Sequence, residues 1–99
     1  MSTFALPAEA TLAQARALEA EIDAAVAAAG VEGLCIDAAA LTEFDTSAIA
    51  LLLHARRAAA ARALPLRLHG APPKLRQLAQ LYGVAALLTF EDVVGDAVA

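Results

Sequence analysis

The chain has one cysteine, no tryptophan, four aromatic residues in all, and no run of apolar residues long enough to span a bilayer. Each scarcity excludes something. Cys35 alone makes neither an internal disulfide nor a zinc site by itself, as expected for a reducing compartment. The longest stretch without a charge, Gln77 to Phe90, falls short of the ~20 apolar residues of a spanning helix, so no direct membrane insertion is expected. No Lys or Arg precedes the first apolar residues and Glu9 follows soon after, so the charged n-region of a signal peptide is lacking and a cytoplasmic location is expected. Seven bases against eleven acids give a net charge of −4, which argues against nucleic acid as a partner. The five glycines are dispersed, each near an expected element end, so no phosphate-cradling loop is expected.

What the chain has in abundance is alanine, which contributes 29 of its 99 residues and favours helix. Only 23 residues are Leu, Ile, Phe or Met, so the core is modest and the length suits one domain over residues 1–99. Charge is segregated by sequence. Residues 1–45 hold eight acids and one base, residues 46–90 hold six bases and no acid, and the tail returns to acid with Glu91, Asp92 and Asp96. Such a pattern suits acidic and basic elements that face each other or are solvated separately, and the sharper alternative is a cationic surface for an acidic partner.

The periodicities predict an α/β chain. Thr3 to Leu6 reads as a short strand closed by Pro7. Thr11 and Gln14 form the pattern of a capping box, and Leu18, Ile22, Ala25, Val26 and Ala29 then recur at helical spacing, with Gly30 placed for a left-handed stop. Leu34-Cys35-Ile36 is a short apolar run expected to be a central strand buried on both faces. Asp45, Thr46 and Ser47 are each able to cap the helix that follows and extends towards Ala63, with Ile49, Leu52, Leu53 and the stem of Arg56 inward. Leu64, Leu66 and Leu68 alternate with Pro65 and Arg67 as in a strand near an edge. Pro73 opens a third helix, expected to line one face with Leu75, Leu78, Ala79 and Tyr82 and to stop at Gly83. Val84 to Phe90 reads as an extended or irregular return, and Glu91 to Val98 as a last helical turn or two. Alternation of strand and helix favours parallel pairing with right-handed crossovers.

Catalytic chemistry is thinly supplied. Neither His54 nor His69 has a Cys, Asp or second His at ligand spacing along the chain, so no metal, cofactor or catalytic role is expected of them. Cys35, in the most apolar strand, reads as a structural thiol with a raised pKa. The polar cluster Asp45-Thr46-Ser47 is left as a helix cap or, because a helix N-terminus stabilises negative charge, as a phosphoacceptor; spacing does not choose between them.

Leu34-Cys35-Ile36-Asp37, then Leu41, then Phe44-Asp45-Thr46-Ser47-Ala48-Ile49 resembles the signature of STAS domains, the anti-sigma-factor-antagonist fold: an apolar strand ending in Asp, a spacer, and a hydrophobic-Asp-Ser/Thr segment opening a helix. Ile49 to His54 and Leu78 to Tyr82 look most like the branch of the family that serves Mla-type phospholipid-transport ABC complexes. The chain departs from the pattern at Ala48, where the family has glycine, and in a short N-terminal part without a clear Gly-Glu-Leu-Asp turn. The resemblance implies a small, mostly parallel or mixed sheet of about four strands with helices against it. It also implies a non-enzymatic protein that binds the ATP-binding subunit of such a transporter, peripheral to the inner membrane through that complex. The alternative it implies is an anti-sigma factor antagonist switched by a partner kinase at Thr46 or Ser47. Asp45, Thr46 and Ser47 are the expected contact or phosphoacceptor residues, on a docking ridge that takes in Thr42, Glu43, Arg56 and Arg57.

Overall fold

Each of the main strands is followed by a helix that covers its core-facing side chains, and the strands therefore meet side by side in the same direction. The computed structural model describes residues 2–91. Its elements are β1 (Ser2–Ala5), β2 (Glu9–Ala10), α1 (Leu12–Ala28), β3 (Leu34–Asp37), β4 (Glu43–Phe44), α2 (Thr46–Ala61), β5 (Leu66–His69), α3 (Pro73–Leu81) and α4 (Ala85–Leu88). Three strands form a parallel sheet in the order β1-β3-β5, and β2 pairs with β4, also in parallel. β3 is central, as the apolar run Leu34 to Ile36 predicts.

The register sorts side chains into two faces. Phe4, Ile36 and Leu68 lie abreast and face the core, as do Leu34 and Leu66 one step away. Thr3, Cys35 and Arg67 form the intervening row, and Ala5, Asp37 and His69 the next. This second face is only partly covered, so Cys35 is half-buried rather than enclosed on both sides as its apolar neighbours suggest. Leu18, Ile22 and Val26 of α1 and Ile49, Leu52 and Ala55 of α2 complete the core with Leu75 and Ala79 of α3.

The helix ends follow local chemistry. The Thr11–Gln14 capping box forms as its pattern predicts, with Gln14 Oε1 accepting the Thr11 N–H at 2.9 Å. Asp45 is the N-cap of α2, which leaves Thr46 at the first helical position. Gly83 ends α3 in a left-handed conformation (φ 72°), with Val84 N–H bonded to Ala79 O at 2.9 Å. α2 ends in the same way through Leu64 N–H to Ala59 O at 2.8 Å, but there the left-handed residue is Ala63 (φ 53°). Gly30 does not play the part its position suggests: α1 closes on an extended Ala29, and Gly33 takes the positive φ at the entry to β3. A Cβ on Gly33 would run into Pro65, which is why the chain is bare there.

Two expectations are corrected. Tyr82 is 56% exposed rather than inward; it follows the last residue of α3 as its C-cap, beyond the stripe set by Leu75 and Ala79. Val84 to Phe90 is not extended, since α4 forms within it and buries Leu88. Of the helical segment read at Glu91 to Val98, all but Glu91 lies outside the described residues. Among the described residues no helix is long and apolar enough to cross a membrane.

Candidate functional site

β2 and β4 are only two residues each, yet they bring together the starts of two helices. Their pairing sets Ala10 opposite Phe44, so the next residues, Thr11 and Asp45, open α1 and α2 side by side. Ala8 O tightens the junction by accepting from Thr42 N–H at 2.8 Å and Glu43 N–H at 2.9 Å. The Asp45 carboxylate then serves both helices. Oδ1 accepts the Ser47 N–H at 2.8 Å, and Oδ2 accepts the Leu12 N–H of α1 at 3.1 Å. These are two of the donors that helix starts leave without intrahelical partners. The Ser47 N–H first and the Leu12 N–H second hold the Asp45 carboxyl below its ordinary range.

The expected site residues separate into two groups. Thr42, Glu43, Asp45 and Thr46 line one open groove of about 570 Å³, together with Thr11, Phe44, Lys74 and Leu78. Thr46 is exposed, whereas Ser47 is half-buried and its hydroxyl contributes to holding Asp45 ionised. Arg56 and Arg57 lie elsewhere, ten and eleven residues along α2 from Thr46, or about 15 Å at 1.5 Å per residue. Arg57 is exposed, but the Arg56 guanidinium turns inward, donating to Leu66 O at 3.3 Å, to Leu88 O, and to Thr89 Oγ1 at 2.7 Å. Thr11 and Leu78 were legible in the sequence as a helix cap and a helix-face residue, but their place in the groove, like that of Lys74, comes from tertiary contacts.

The arrangement is built for contact more than for bond-making. The groove joins an apolar floor, Phe44 and Leu78, to a rim carrying hydroxyls, the carboxylates of Glu43 and Asp45, and the Lys74 ammonium. Outside it, burial first and the Glu91 carboxylate second push the pKa of the Cys35 thiol up, away from the thiolate. His69 is occupied with Glu91, Nδ1 to Oε1 at 2.9 Å.

A parallel sheet with helices against it and an Asp-capped helix start fit the STAS resemblance read from the sequence. The chain belongs to that family: the family model described as "Mlab, STAS domain" matches residues 2–89. Among solved structures it is similar to that of the anti-sigma factor antagonist SpoIIAA in its unphosphorylated form, at 23% identity and a TM-score of 0.63 over 79% of this chain and 71% of that one. Among curated proteins no sequence relative is found.

Proposed function

We propose that this chain is a non-enzymatic STAS domain that docks, through the groove at the start of α2, on the ATP-binding subunit of an Mla-type phospholipid-transport ABC complex and stabilises or regulates it. The observation that carries the reading is the exposed Thr46 at the first position of α2, beside Glu43 and Lys74 on the rim and above the Phe44 and Leu78 floor. An apolar floor with a charged rim is the anatomy of a protein interface. The name of the matching family model supports the choice of transporter. On this reading the protein is cytoplasmic and reaches the inner membrane only through the complex.

The likeness to SpoIIAA favours one second reading, an anti-sigma factor antagonist modified by a partner kinase. Thr46 is then the better acceptor than Ser47, because its side chain is exposed and Ser47 is engaged with Asp45. A phosphate brings about −1.5 to −2 charges at pH 7, stabilised by the α2 N-terminus.

Co-purification of wild type, Thr46→Ala and Thr46→Glu with the candidate ATPase, beside thermal melts of each chain alone, tests the proposal. The expected result is that both variants stay folded and that Thr46→Glu loses the ATPase, because a new charge on the rim is poorly desolvated at the interface. If both variants bind as wild type does, the docking site is wrong. Wild type isolated in a phosphorylated form that releases a kinase partner would establish the second reading.

A further inference from the structure

Glu19 and Asp23 stand one turn apart on α1, on the face that meets His54 of α2. One ligand atom from each of the three residues lies within 4.8 Å of the others, and His54 Nε2 is 2.7 Å from Asp23 Oδ1. Spacing along the chain hides the group, since its members belong to two helices separated by β3 and β4. Among the described residues neither carboxylate has a Lys or Arg as ion-pair partner. Two anionic oxygens and one imidazole nitrogen therefore converge without a fixed cation to balance them.

We propose that Glu19, Asp23 and His54 form a binding site for a single divalent cation of the zinc class, which clamps α1 to α2. A mixed nitrogen and oxygen donor set favours zinc, whereas magnesium and calcium prefer oxygen throughout. Three protein ligands leave a fourth, solvent-facing position for water. Zinc needs donor distances of about 2.0–2.2 Å, which places the donors closer together than the 4.8 Å of the metal-free cluster. Glu19 and Asp23 are exposed and free to rotate into that geometry, while His54 is half-buried and sets the position. Binding exchanges the hydrogen bond of His54 with Asp23 for two bonds to the cation, with the remaining imidazole proton on Nδ1. Because the ligands come from two helices, the folded chain binds and the unfolded chain does not, so the cation raises thermal stability by mass action.

The test is calorimetric titration of ZnCl₂ into the metal-free full chain at slightly alkaline pH, with melts in the presence and absence of zinc. The same titration is run on His54→Ala, on Glu19→Gln with Asp23→Asn, and on His69→Ala and Cys35→Ser as controls. A single equivalent should bind wild type and both controls and raise their melting temperatures. Loss of even an outer-sphere partner weakens metal sites by about 10–100-fold, so His54→Ala should weaken zinc binding by more than about 100-fold. The isosteric carboxamide pair should also lose zinc while its metal-free melt stays unchanged, which separates lost ligation from lost folding. The proposal is overturned if no saturable binding is seen, if zinc binding survives in His54→Ala, if it disappears in either control, or if MgCl₂ binds equally well.

Discussion

Asp45 is one carboxylate with two helices on it, and its ionisation is therefore tied to the geometry at both helix starts. Its folded pKa is lowered, by the Ser47 N–H first and the Leu12 N–H second. A group with a lowered folded pKa stabilises the fold above its unfolded pKa, about 3.9 for Asp, and this contribution is lost as pH falls through the folded value. Asp45→Asn keeps an acceptor but no charge. Its urea midpoint should lie below that of wild type at neutral pH, and the gap should close as the pH drops below about 4; a gap independent of pH would refute the assignment. Ala63 gives a second prediction at this scale. Its left-handed φ of 53° is costly for a residue with a Cβ, so Ala63→Gly should stabilise the chain by about 0.5–1 kcal/mol in urea melts. At single residues the sequence was only partly legible. It narrowed the α2 cap to Asp45, Thr46 and Ser47, and the cap bond, from the Ser47 N–H, is local; but the second N–H on Asp45 comes from α1, far away along the chain, and leaves no trace in the sequence.

Among the elements, those with their own start and stop chemistry could be read directly: α1 from its capping box, α3 from Pro73 and Gly83, and β3 from its apolar run. β2 and β4 could not, because two residues carry no period, and α4 has no side-chain cap. What holds the segment after α4 is a set of basic side chains from other elements. Arg56 donates to Leu88 O and Thr89 Oγ1, Arg76 donates to Glu91 O at 2.6 Å and stands over the Phe90 ring, and Arg67 and His69 hold the Glu91 carboxylate. Much of the basic charge in the second half of the sequence thus goes to internal carbonyls and Glu91. Arg56→Ala should destabilise the chain by about 1.5–3 kcal/mol, the range for hydrogen bonds to a charged group. Arg56→Lys should recover only part of this in thermal melts, since an ammonium lacks the planar fork that reaches several acceptors at once.

For the molecule as a whole, most of the bases that the sequence gathers in its second half are bonded within the chain. Arg56, Arg62, Arg67 and Arg76 donate to partners within the chain, although Arg62 and Arg67 stay exposed, as Arg57 and Lys74 do. Lys74 is the base on the rim of the proposed docking groove. Lys74→Glu should therefore weaken capture of the ATPase in the co-purification assay while changing stability by no more than about 0.5 kcal/mol, as exposed substitutions usually do. Retained capture would move the interface away from α3. The order β1-β3-β5 carries a further consequence, for the route by which the chain folds. Ser2 pairs with Leu34 and Leu34 with Leu66, so each strand must wait for a whole intervening helix before it meets its neighbour, and among the described residues no hairpin is there to nucleate the sheet. Loop closure then precedes any reward from strand pairing. During synthesis β1 leaves the ribosome before β3 and stays unpaired until β3 has followed it out, so α1 can form from local contacts before the sheet does.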